Sequence, residues 1–307
     1  NGGGFSTTLF FSITTRSSEE FVSGTIAENR TWTNDKTYVV TNNVGVAPNF
    51  TLTIEAGTTI KFNGNYSLNL GGTLVAQGTA EQPILFEPYT SSITWNRIYF
   101  DNTSLDAQTT VEGDYLSGNV LQHVTLSGAS GGIACSSATP YLDHVTTEKG
   151  GMTCNLGGTD LWVKDSSFYG TVDISQGGSS PEHIIRVETN GGNVTLPISQ
   201  VFDCNLNGQV NINGAGQVSS TVTNGLSISG IADVANVTSK GSISVSSGQV
   251  VNSNVQGGGV STGSNSLVSE CTIIGGGISA GFGSTITHNS IENTSGTGIS
   301  SSGTSTI

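Results

Sequence analysis

The sequence predicts an all-β chain folded as a right-handed parallel β-helix, a solenoid, and two repeating patterns carry that expectation. In the first, an apolar residue, a small polar residue and an apolar or small residue recur every 16 to 22 residues, opening at Ile133, Met152, Val172, Val194, Val210, Leu226, Ile243, Val260, Ile278 and Ile299. Side chains alternate faces along a strand, so the outer two residues of each phrase face inward and the middle one faces water. In the second, each coil from Val120 onward carries an inward residue followed three and five positions later by two more, as in Leu121, Val124 and Leu126, or Val201, Cys204 and Leu206. Two registers advancing together mark coil stacked on coil.

From the N-terminus, residues 1 to 23 stand outside the repeat. Phe5, Leu9, Phe10, Phe11 and Ile13 form a β-prone apolar arm, expected to cap the first coil or to add as a strand to another subunit. Residues 24 to 307 make the solenoid. Its opening strands are rich in large residues, as in Tyr38-Val39-Val40, Leu52-Thr53-Ile54, Ile60-Lys61-Phe62, Ile84-Leu85-Phe86 and Ile98-Tyr99-Phe100, with Gly, Asn and Pro between them.

The stretch from Leu52 to Phe62, followed by Gly72 to Thr79 and Gln82 to Phe86, closely resembles the first coils of large secreted right-handed parallel β-helix repeat proteins of microbes. The resemblance implies an extracellular or cell-surface β-helix. It fixes no activity, because that family spans stalks, adhesins, lyases and hydrolases.

Residues 101 to 119 read as a loop leaving the solenoid. Their Asp101, Asp106, Glu112 and Asp114 are candidate Ca²⁺ ligands, although the spacing is not that of an EF-hand loop. Further along, the inward partner of the first phrase shrinks from Ile174, Leu196 and Ile212 to Thr262, Ala280 and Ser301, and the pattern runs to Ile307 without a capping element. An open end exposes unpaired backbone groups, so the expectation is a longer native chain or a second subunit covering that end.

A formal net charge of −13, with nine Lys and Arg, argues against a polyanion such as nucleic acid as partner. No apolar run approaches the ~18 residues of a membrane span. Neither an initiator Met nor a basic-then-apolar leader opens the chain, as expected of a processed secreted protein or a fragment. Seven Asn-X-Ser/Thr sequons occur, no more than such a composition produces by chance.

Cys135 and Cys154 hold the same slot in successive coils. Coils stack ~4.8 Å apart, within disulfide reach, which leaves a bridge and two buried thiols as alternatives. Cys204 and Cys271 lie too many coils apart to pair.

The position two after each second-register start turns outward and forms a row: His123, His144, Asp165, Arg186, Asp203, Ser220, Asn236, Asn252, Glu270 and His288. Within it His123, His144 and Asp165 are the candidate metal ligands, two imidazoles and a carboxylate brought together by stacking. Arg186, next in the row, and the exposed corner favour instead a solvated edge that holds no metal.

The leading expectation is therefore an extracellular structural protein with no enzymatic activity and no cofactor. It would be a filament, stalk or adhesin subunit whose copies stack head to tail, the Phe5 to Ile13 arm meeting Ile286, Ile291, Ile299 and Ile307 of the last coil. The alternative is a carbohydrate-binding or carbohydrate-cleaving β-helix using a groove near Asp101, His123, Asp143, His144 and Asp165. Few carboxylates share a strand face, and no Arg or Lys cluster waits for an acidic sugar.

Overall fold

The computed structural model describes residues 18–156, 160–175, 182–292, 296–302 and 306. Among these residues every regular element is a strand, and one 31-stranded system of parallel pairs winds into a β-solenoid. No helix among them is long and apolar enough to cross a membrane.

Each coil has three faces. The front face stacks Thr73–Gln77, 120–122, 141–143, Trp162–Lys164, Glu182–Ile185 and Ser199–Phe202. The side face follows around a corner with Ile84–Pro88, 124–126, 146–147, 167–169, 188–190 and 205–207. On the back face the first-phrase residues pair in one unbroken line, from Ile133 to Met152, Val172, Val194, Val210, Leu226, Ile243, Val260, Ile278 and Ile299. The expected ladder is thus the observed one.

The corner between front and side faces is the most regular feature of the chain. All ten residues of the outward row, from His123 to His288, adopt a left-handed backbone with φ between 45° and 56°. This conformation costs a residue with a Cβ about 1–2 kcal/mol, so the stacked sheets on both sides must hold it. The turn also takes the next residue's N–H out of the sheet ladder. An inward side chain one coil on accepts that proton: Ser166 Oγ from Val145 N at 3.0 Å, Ser253 Oγ from Val237 N at 3.2 Å and Asn289 Oδ1 from Cys271 N at 2.9 Å. A buried N–H left unpaired would cost about 1–3 kcal/mol. The Ser, Thr, Cys and Asn interrupting an apolar row are therefore hydrogen-bond partners rather than packing defects.

The core changes along the axis. In the early coils Phe62 stacks on Trp95 with ring centroids 4.0 Å apart, Phe86 packs beside Trp95 at 6.3 Å, and Phe100 is fully buried as well. Later coils hold Val, Ile and Leu, and by Thr262 and Ala280 the inward side chains are small. Ile286 is buried, whereas Ile291 and Ile299 are only partly so. Phe5, Leu9, Phe10, Phe11, Ile13 and Ile307, the other residues expected to mediate assembly, lie outside the described residues.

Two boundaries differ from the sequence reading. The first strand, Ser18–Ile26, opens inside the segment assigned to the arm and pairs in parallel with Lys36–Val46, Ser18 opposite Lys36. Its polar opening hid it: Glu20 is fixed by Arg30 and by Lys36, the latter at 2.9 Å, while Val22 and Ile26 reach the core. The insertion 101–119 does not simply leave the solenoid. It contains an antiparallel hairpin, Gln108–Thr109 with Tyr115–Ser117, and folds back on the front face.

Cys135 and Cys154 are joined by a disulfide between adjacent coils, Cα to Cα 4.3 Å, and both are buried. Cys204 and Cys271 are free and buried, and burial pushes the Cys204 thiol up to about 12.

Candidate functional site

The densest group of reactive side chains lies where the front face meets the left-handed corner. Parallel register places Gln122, Asp143 and Lys164 in one outward column of the front face. Asp143 is nearly buried, and its carboxylate is held at both oxygens: Oδ2 accepts from Gln122 Nε2 at 2.9 Å, and Oδ1 lies 2.7 Å from His144 Nδ1. With Nδ1 donating to the carboxylate, Nε2 is the nitrogen left to accept a proton. One coil on, Asp165 takes both nitrogens of a bidentate Arg186 contact, which holds its carboxyl below the usual range.

Of the three expected metal ligands, the structure brings two into one group and replaces the third. Ligand atoms of Asp143, His144 and Asp165 lie within 4.8 Å of one another. His123 instead stacks its ring on His144, centroids 4.3 Å apart. The row spacing in the sequence treats all corner residues alike, but stacked imidazoles present flat faces to each other rather than converging lone pairs. Asp143 enters because the left-handed turn at His144 brings chain neighbours to the same side.

The returning loop roofs the adjoining surface. Its Ala107 packs with Val120, Tyr141 and Trp162 in a small second core on the outside of the front face. The Gly113 carbonyl accepts from Tyr141 Oη at 3.1 Å and from Lys164 Nζ at 2.9 Å. Gly113 has φ +84°, and a Cβ there would meet the Trp162 ring at 2.2 Å, so only glycine allows this approach. Trp162 stacks in turn on His183 in the next coil at 3.7 Å, and burial pushes the His183 imidazole down.

The four loop acids do not converge. Asp101 Oδ1 accepts from Thr103 N and Oγ1, and Asp106 Oδ1 accepts from Thr139 N across the loop base at 2.8 Å. Among the described residues the group of three metal-competent side chains is the one at Asp143, His144 and Asp165.

Sequence reasoning missed Glu182. It points inward, fully buried, with Oε2 accepting from Leu161 N at 2.7 Å and Oε1 without a partner. Burial pushes its carboxyl up to about 8. The signal was present: Glu182 shares its slot with Ser199, Gly216 and Ala232, small residues in an inward column.

Fold and site together define a parallel β-solenoid with a lateral cluster of carboxylate, imidazole and guanidinium. Residues 24–96 match the family model described as a pectate-lyase like beta helix domain. No curated protein and no solved structure matches the chain.

Proposed function

We propose that the chain engages polysaccharide on its front face, outside the cell, with His144 as the group that accepts a proton and Asp143 as the residue that orients it. The observation that carries this is the chain Gln122, Asp143, His144, in which a nearly buried carboxylate fixes one imidazole nitrogen and leaves the other for a ligand. Lys164, opposite Asp143 in the next coil, supplies positive charge beside it, Arg186 being paired with Asp165, and the roofing loop gives the face a wall. The match of residues 24–96 to a pectate-lyase-like domain supports a carbohydrate partner. The buried Cys135–Cys154 disulfide supports an oxidising, extracellular setting.

The test is release of sugar from a panel of plant, fungal and bacterial polysaccharides by the wild type, His144→Ala and Asp143→Asn. A drop of about 10²-fold or more in both variants is expected. Absence of both release and binding across the panel, or full activity in His144→Ala, would remove the proposal.

A second reading, head-to-tail assembly as a structural subunit, is favoured by a large apolar side chain left on the surface of the first coil. Phe21, on the strand Ser18–Ile26, is 64% exposed. An exposed aromatic of this size is a ready contact between copies. Electron microscopy of the purified chain separates fibres from single solenoids.

A further inference from the structure

The side face carries a second concavity, made by different residues from the front-face group. Around the corner, a bowl of about 280 Å³ is lined by Glu188, Asn190, Asn205, Asn207 and Lys240. Register explains its composition. Tyr169 lies opposite Asn190 one coil on, and the outward column continues through Asn207, Asn224 and Lys240, each next in the chain to the paired residues Leu206, Thr223 and Ser239, while Ser167, Glu188 and Asn205 pair in a second line beside it. Asn224 Nδ2 donates to Asn207 Oδ1 at 3.2 Å, which holds that amide in place.

The chemistry of this surface is specific. Asn190, Asn205 and Asn207 are exposed amides, each offering a donor and an acceptor in one plane. Glu188 adds an acceptor and Lys240 a donor, one negative and one positive formal charge that sum to zero. At the upper end of the column Tyr169 pairs with Asn190 and is 49% exposed, an aromatic side chain that the protein leaves half open. Apolar burial gives no reason for a half-exposed ring at the head of an amide column. Ring hydroxyls match paired donors and acceptors, and the C–H face of a pyranose matches an aromatic ring.

We infer that this bowl binds an uncharged saccharide, one ring seated among Asn190, Asn207 and Glu188 and the next against Tyr169. Lack of charge follows from two observations: the bowl is charge-balanced, and the whole chain carries −13, which repels a polyuronate. The volume lies at the low end for a ligand site and suits a short segment of a glycan rather than a large cofactor. This site does not depend on the front-face reading and would survive its failure.

The experiment is calorimetric titration of the full chain carrying His144→Ala with cellotetraose, laminaritetraose, mannotetraose and chitotetraose, and with tetragalacturonate as the acidic comparator. At least one neutral tetrasaccharide is expected to bind at one site per chain. Adding Tyr169→Ala, or Asn190→Ala with Asn207→Ala, is expected to weaken it tenfold or more; these residues are exposed, and unchanged circular dichroism checks that each variant folds. The inference is overturned if no neutral tetrasaccharide binds, if binding ignores Tyr169→Ala, or if tetragalacturonate binds more tightly than all four.

Discussion

His144 and Asp143 are chain neighbours whose polar atoms meet, imidazole Nδ1 2.7 Å from carboxylate Oδ1. Neighbours on a flat strand point to opposite faces. Here the φ of +53° at His144 turns the chain at that residue, so both side chains emerge on the outside. A backbone feature repeated in ten coils thus creates a local pair in the one coil where the sequence places Asp before His.

The bidentate Arg186 contact holds Asp165 ionised. In a carbon-detected NMR titration the Asp165 carboxyl is expected to protonate below the ordinary carboxylate range in the wild type and to move up in Arg186→Gln. The sign follows from a folded value below the unfolded one: the stabilisation is present above the unfolded pKa and is lost as pH falls through the folded one. An unchanged midpoint in the variant would disconnect the pair.

Glu182 has the opposite sign. Its folded value of about 8 lies above the ordinary carboxyl value of 4.5, so the folded state keeps a proton that the unfolded chain has already released. Stability should fall as pH rises from about 4.5 to about 8, at most by about 1.4 kcal/mol per pH unit from this group, and level off above. Glu182→Gln keeps an acceptor for Leu161 N–H and should flatten the slope. Urea midpoints at pH 5 and pH 8 for both proteins decide it.

Gly113→Ala drives a methyl into Trp162 from a left-handed position. About 1–3 kcal/mol of local stability should be lost as the loop lifts from the front face. Tryptophan emission should shift to the red as Trp162 meets water, with Trp32 and Trp95 staying buried in the core. Identical emission spectra would mean that the loop does not rest where Gly113 places it.

Reducing the Cys135–Cys154 bond opens a covalent loop of 19 residues, for which chain entropy predicts a loss of about 3 kcal/mol. Denaturant midpoints with and without reductant, repeated on a Cys135→Ser, Cys154→Ser variant, test this. Equal midpoints would show that the bond contributes nothing beyond two packed sulfurs.

The fold was legible because its period is written in small residues as much as in large ones. Ile133, Met152 and their successors appear in the structure in the register their spacing implied, and every residue of the outward row became a corner. Inward Ser166, Ser253 and Asn289 were legible as a row, but their reason was not: the N–H each accepts is freed only by the turn in the preceding coil. The site was half visible. His144 and Asp165 stood in the row, whereas the role of Asp143 needed the left-handed rotation. The path of residues 101 to 119 rests on contacts between Gly113, Tyr141 and Trp162, which are far apart in the chain and follow no period.

The corner has a consequence for how such a chain can change. Successive corner residues are separated by 16 to 21 positions, yet each is followed directly by its inward partner, so variation in coil length is absorbed elsewhere. Because each coil packs mainly on its neighbours, extra residues away from the corner need not disturb those above or below. The segment 101–119, inserted between the back-face strand ending at Phe100 and the front-face strand opening at Val120, shows such an addition already accepted. The corner therefore acts as a fixed spine along which new loops are mounted and exchanged, and surface chemistry can diversify coil by coil while the scaffold is inherited intact.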